Sequence, residues 1–210
     1  MIIKNLFDMI VIATSAEIEL MKDMRTEEYL KTIKWMKTNL LDYKIIFIET
    51  VKKQDSFIES YYPVFYTKTH DPKYTNQGTN LGLSLKRFFE VNKFGSEDLI
   101  IQTTGRYHFI DSYFFDTIKN NSGYDFYGLE MDGPGFGEHQ YFTGCFAMRY
   151  KYIEDWVNTT DWIYLNSNQI NFEKSLHDYI KKNNIKNFNM EKVNMDCNIF
   201  AKGNLCRIKL

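Results

Sequence analysis

Asp8-Met9-Ile10-Val11-Ile12-Ala13-Thr14, followed by Ser15-Ala16, is the stretch on which the fold turns. It is apolar on successive residues and too short for a helix, which describes a strand buried on both faces. Dinucleotide-binding folds and methyltransferases bring glycines into the turn after such a strand, because backbone there must come close to phosphate or cofactor. Here the turn is Ala13-Thr14-Ser15-Ala16, and the first glycine of the chain is Gly78. Those folds are excluded. A Walker loop and a Gly-x-Ser-x-Gly elbow are also absent, which removes the P-loop and α/β-hydrolase classes.

Outward from this strand, apolar runs alternate with helical patterns. Residues 25–38 carry Tyr29, Leu30, Ile33, Trp35 and Met36 near helical spacing, and Thr26-Glu27-Glu28 suits a helix start. Residues 44–50 and 63–67 read as the second and third strands, 81–91 as a helix and 98–103 as the fourth strand. This order implies right-handed crossovers and a mostly parallel central sheet flanked by helices, an α/β fold. Residues 125–128 and 141–149 read as further strands on either side of a Gly133-Pro134-Gly135-Phe136-Gly137 turn. Helices are expected at 150–157 and 172–182, and edge strands within 193–210. No linker or repeat divides the 210 residues, so one domain is expected, with residues 1–110 and 111–210 as its two halves.

Composition narrows the partners. With 26 basic against 27 acidic residues, no global field recruits nucleic acid. Cys145, Cys197 and Cys206 are odd in number and lack Cys-x-x-Cys spacing, against both a zinc knuckle and a disulfide framework. Cys145 with His139 or His177 would make a thiol-imidazole pair, but a buried structural cysteine explains it more simply. No apolar run reaches membrane-spanning length and no signal peptide is legible, so the chain reads as cytoplasmic.

Two stretches carry candidate chemistry. Thr75-Asn76-Gln77-Gly78-Thr79-Asn80-Leu81-Gly82 precedes a helix. Gly78 suits a positive-φ turn, Asn76 suits backbone or ligand bonding, and a helix N-terminus with Lys86 and Arg87 further in suits anions. An ordinary loop and cap would look the same. After the fourth strand comes Thr103-Thr104-Gly105-Arg106-Tyr107. Arg106 would grip phosphate oxygens bidentately, or else pair with Asp111 or Asp116.

In this order the two stretches resemble small GT-A-type glycosyltransferases of bacterial glycan clusters and large DNA viruses. There an Asn-x-Gly turn opens the helix before the diphosphate strand, and some members carry Thr-Gly-Arg-Tyr where others have a metal-binding Asp-x-Asp. The resemblance covers most of residues 8–180 and implies a GT-A-like domain with a nucleotide-sugar half and a smaller mixed acceptor half. It implies transfer of sugar from a UDP- or GDP-sugar to a glycan or glycoprotein hydroxyl. Thr14, Ser15 and Glu49 would meet the base or ribose. Asn76, Gly78, Lys86, Thr104, Gly105 and Arg106 would surround the diphosphate, with Gly105 letting backbone approach it. Mn²⁺ or Mg²⁺, if used, would sit on Glu130 and Asp132, which alternation places on one face; a solvated loop edge is the competing reading. Family order makes Glu173 the general base, with Asp132 and Glu138 behind it, although a dipole-favoured surface acid would also sit at a helix start. Glu138, His139 and Gln140 would face the acceptor. A non-catalytic glycan- or protein-binding relative and a sugar nucleotidyltransferase are the alternatives. The latter usually carries a glycine- and Arg/Lys-rich loop after strand one, which this chain lacks.

Overall fold

Ile10, Val11, Ile12 and Ala13 are all buried, and the strand they form is the centre of the molecule. The structure, a computed structural model, describes residues 8–17, 22–133, 137–201 and 204–210. Its elements run β1 (Met9–Ser15), α1 (Lys22–Asn39), β2 (Lys44–Glu49), β3 (Val64–Tyr66), α2 (Gln77–Val91), β4 (Leu99–Thr104), β5 (His108–Phe109) and α3 (Tyr113–Asn120). They continue through β6 (Phe126–Gly128), β7 (Glu130–Gly133), β8 (Gly137–Tyr141), β9 (Cys145–Arg149), α4 (Tyr150–Thr159), α5 (Trp162–Ser167) and α6 (Phe172–Lys182). β10 (Asn187–Asn189), β11 (Met195–Ala201) and β12 (Asn204–Lys209) complete the chain.

Seven strands form the central sheet in the order β10-β6-β9-β4-β1-β2-β3. β1 pairs in parallel with β2 and β4, and β2 with β3, while β9 runs antiparallel between β4 and β6. Strand alternation sends Val11, Ala13, Phe47 and Ile101 to one face, where they meet Tyr29, Ile33 and Met36 of α1. Ile10, Ile12, Ile48 and Ile100 go to the other, against Leu85 and Phe88 of α2, Trp156 of α4 and Phe172 of α6. Trp156 is fully buried, so cutting it back to Ala would cost about 3–5 kcal/mol. β11 pairs with β12 and with β5 in a small antiparallel sheet, and β7 with β8 forms a separate hairpin.

Three local expectations change. The run at 141–149 is split: Tyr141 ends β8, Cys145 begins β9, and Phe142-Thr143-Gly144 turns between them. Residues 134–136 of the glycine-proline turn lie outside the described residues. The helix expected from residue 81 starts at Gln77, because Asn76 caps it, its Oδ1 accepting from the Gly78 amide at 3.0 Å. Gly78 therefore lies in the first turn of α2 and has no positive φ. Its missing side chain serves packing: a Cβ there would fall 2.4 Å from the Cβ of Phe172.

Candidate active site

The carboxyl ends of β1, β2 and β4 lie side by side, with Ser15 opposite Glu49 and Thr14 opposite Thr104. In parallel α/β sheets this edge is where loops diverge and ligands enter. On the α1 side a cavity of about 290 Å³ opens, lined among others by Glu17, Lys22, Arg25, Tyr29, Lys52 and Phe57. Its rim is cross-tied. Lys52 Nζ is 2.7 Å from Glu17 Oε2, and the Ser56 hydroxyl donates to the other oxygen of Glu17. The Ala16 amide donates to the Tyr29 hydroxyl at 2.9 Å, and Arg25 Nη1 to the Ala16 carbonyl at 3.3 Å. Burial pushes the Tyr29 phenol up to about 12, so it stays protonated.

Glu49 departs from the role first expected of it. It is 0% exposed and its carboxylate accepts from Ser15 Oγ at 2.7 Å, from the amides of Glu17 and Lys52 at 3.1 Å, and from the amide of Val51 at 2.8 Å. A carboxylate so enclosed joins the loops after β1 and β2, behind the Glu17 and Lys52 that line the cavity, and does not reach into it. Ser15 is turned inward with it, and Thr14 Oγ1 donates to the Thr103 carbonyl at 3.3 Å.

Gly105 is also engaged internally. Its amide donates to the Thr14 carbonyl at 2.8 Å, and an added Cβ would lie 2.8 Å from the Phe47 ring and 3.1 Å from the Thr14 carbonyl. Glycine is needed here so that β1 and the end of β4 close up, and the approach it permits is to Thr14. That closure fixes the next residue, Arg106. Its guanidinium lies 3.9 Å from Glu28 of α1, not on Asp111 or Asp116, and over the Tyr107 ring at 5.1 Å. Asp111 accepts instead from Asn194 and Asp116 from Ser112. Burial lowers the Arg25 pKa, and the Arg106 charge lowers it further, so two guanidiniums share this edge.

Glu173 reaches the same edge from the other side. It sits in the first turn of α6, and Thr143 Oγ1 donates to its Oε1 at 2.8 Å. The next residue, Gly144, accepts at its carbonyl from the Thr104 amide at 3.0 Å and from Thr103 Oγ1 at 3.2 Å. Tyr107 registers both charges. Burial raises its phenol pKa, Arg106 opposes that shift, and Glu173 adds to it.

Other expected residues lie elsewhere. Lys86 lines a separate depression of about 530 Å³ with Lys68, His70 and Arg87, on the outer side of α2, sharing no wall with the first. Asn76 and Gly78 face α6, their polar and steric capacity taken by Ile170 and Phe172. Glu130, His139 and Gln140 belong to the β7–β8 hairpin, which packs on α6. Gln140 accepts from Asn171 at 3.0 Å, the His139 ring stacks on His177 at 5.8 Å, and Glu130 engages Asn189 and His177. The side chains of Asp132 and Glu138 lie outside the described residues. The register shift between Met131 and Gly133 places one extra residue on β8, the strand that carries His139 at positive φ.

Among the described residues the end of β4 offers a divalent cation no carboxylate of its own. Thr103, Thr104 and Gly105 stand there, the Glu28 carboxylate faces a guanidinium, and divalent cations want several oxygen ligands with carboxylates among them. Among the described residues no group of three or more His, Cys, Asp or Glu side chains is gathered as a metal site. Cys145 is fully buried, its thiol pushed well up by burial, which excludes the thiol-imidazole pair. No described helix is long and apolar enough to cross a membrane.

The mixed α/β fold, a seven-stranded mostly parallel sheet flanked by helices, is GT-A-like. No known family profile matches the chain, and no curated protein matches it in sequence. Among solved structures it is similar to CTP:phosphocholine cytidylyltransferase (LicC) from Streptococcus pneumoniae. The TM-score is 0.52 at 13% identity, over 90% of this chain and 92% of that one. It is more distantly similar to the galactosyltransferase LgtC, with TM-score 0.41 and 9% identity over 83% of this chain and 70% of that one. The glycosyltransferase GlyE of Streptococcus pneumoniae TIGR4 gives 0.43 and 14% over 87% of this chain and 45% of that one. At such identities the likeness is one of fold.

Proposed function

We propose that this protein is a nucleotide-sugar-dependent glycosyltransferase acting on a glycan hydroxyl. The observation that carries the reading is the convergence of a cation and a carboxylate, Arg106 and Glu173, on one sheet edge beside the cavity at the ends of β1 and β2. The nucleoside would occupy that cavity, and the diphosphate would lie toward Arg106 and Arg25. In an inverting transfer the acceptor hydroxyl gives its proton to Glu173 while its oxygen attacks the anomeric carbon. The bond from that carbon to the diphosphate oxygen breaks, and the charge left on the diphosphate is met by Arg106. Thr143 holds one oxygen of Glu173 and so aims the other.

A panel of UDP-, GDP- and dTDP-sugars with mixed glycan acceptors tests this. Transfer or slow donor hydrolysis is expected for one donor, and Arg106→Ala is expected to lower turnover about 10²–10³-fold, as loss of a charge-stabilising donor does, without unfolding the protein. Turnover unchanged in Arg106→Ala, or no donor consumed by the wild type, would sink the reading. In the latter case a non-catalytic binding module is what remains. The likeness of fold to a cytidylyltransferase favours one other reaction. Release of pyrophosphate from an NTP and a sugar phosphate would establish nucleotidyl transfer instead.

A further inference from the structure

Asn76 and Gly78 are the most conspicuous local signal in the chain, yet neither faces the candidate site. What they touch is the approach to α6. Asn76 divides its amide between two tasks: Oδ1 caps α2 through the Gly78 amide at 3.0 Å, while Nδ2 donates to the Ile170 carbonyl at 2.7 Å. Its backbone amide donates to Asn166 Oδ1 at 3.1 Å. Gly78 leaves room for Phe172, whose Cβ would be 2.4 Å from any side chain there. Residues 170 and 172 bracket Asn171, the cap of α6, whose Oδ1 accepts from Lys174 at 2.8 Å and whose Nδ2 donates to Gln140 at 3.0 Å. Three parts of the fold thus fasten one helical turn: the start of α2 through Asn76 and Gly78, the β7–β8 hairpin through Gln140, and the turn before β9 through Thr143. The side chain in that turn held by Thr143 is Glu173. A helix start needs one cap for stability; fastening from three sides fixes where a side chain lies.

We propose that Asn76 and Gly78 are positioning residues for Glu173, setting the first turn of α6 so that its carboxylate meets the acceptor hydroxyl. This rests on the reading of Glu173 as the base and assigns the Asn-x-Gly turn to that end of the reaction. The phosphate is left to the turn after β4. The two tasks of Asn76 can be separated. In Asn76→Asp one carboxylate oxygen still caps α2, since Asp is as good a cap as Asn, but the other repels the Ile170 carbonyl.

Two measurements follow. Hydrogen exchange in Asn76→Asp should speed up at the amides of Lys174 and Ser175, which bond to Asn171, with the rest of α2 and the melting temperature near wild type. Unchanged exchange at those amides overturns the proposal whatever the protein catalyses. With the nucleotide-sugar found active in the donor panel, kcat should fall about tenfold to a hundredfold while the donor KM holds, as displacement of a reacting group by an ångström does. In a Glu173→Gln background the same substitution should add nothing, because the effect passes through Glu173. A full additional loss in that background overturns the proposal. If Glu173→Gln alone leaves kcat intact, the base reading falls, and the positioning of Glu173 for catalysis falls with it. Gly78→Ala should reproduce the exchange change through Phe172, at some cost in stability.

Discussion

Glu49 shows how burial decides a residue's work. An acid at the end of a strand, on the carboxyl edge of a parallel sheet, reads in sequence as a ribose ligand. In the folded chain it is sealed off and accepts from one hydroxyl and three backbone amides. Glu49→Gln keeps one acceptor for the amides and turns its NH₂ toward Ser15, so it loses only charge assistance, about 1–2 kcal/mol. Glu49→Ala leaves three half-buried amides without their charged acceptor and should cost about 3–5 kcal/mol. Urea unfolding midpoints distinguish the two. If Glu49→Gln changed nucleotide affinity while its midpoint stayed put, Glu49 would be a ligand after all. Gly105 follows the same logic from the opposite direction. Its smallness is needed by Phe47 and Thr14, and Arg106 acquires a fixed position as a consequence.

Among the elements, α2 is the one whose packing sequence reasoning understated. Gly82 sits within it, and an added Cβ would come within 2.4–2.6 Å of three Trp162 ring carbons. Alanine is the better helix former by about 1 kcal/mol, but overpacking of this kind costs about 1–3 kcal/mol. Because the indole is buried and bonded to the Val157 carbonyl at 3.0 Å, it has nowhere to retreat, and the packing cost should win. Gly82→Ala should lower the melting temperature by up to about 8 °C in calorimetry. A rise would mean that α5 shifts easily. What was legible follows from the same physics. β1, β2 and β4 are buried on both faces, so their apolar runs stand out, and α6 shows its stripe at Phe172, Leu176 and Ile180 within the expected bounds. α3 went unseen, since Tyr113-Phe114-Phe115 reads as readily as strand and the helix has only 8 residues. The β7–β8 hairpin was hidden too: its glycines look like loop, and what orders its described part is contact with α6. Arg106 and Glu173 were named from order along the chain, whereas Glu28, Arg25, Tyr107 and Thr143 were missed as neighbours. Their places depend on how α1 and the turn before β9 fold over the edge, which no local pattern encodes.

At the scale of the whole molecule, the site is assembled from segments distant in the chain. Glu17 and Lys52 close one side of the cavity, the turn after β4 supplies Arg106, and α6 brings Glu173 to the turn before β9, a strand of the same sheet. Two apolar clusters, one on each face, share that sheet, so neither face can melt and leave the other its support. Unfolding should therefore be a single transition, and a ligand bound at the edge should stabilise the entire chain. A nucleoside diphosphate at a hundred times its Kd adds about 2.7 kcal/mol. For a chain of 210 residues this corresponds to a rise in melting temperature of about 5–11 °C. UDP, GDP and CDP, each compared with its nucleoside, separate what the cavity contributes from what the arginines contribute. The preferred base should shift the transition even as the nucleoside, and the diphosphate should add a further shift that Arg106→Ala removes. A diphosphate shift that survives Arg106→Ala would move the phosphate site away from the end of β4. No shift with any of the three would remove the nucleotide from this edge altogether.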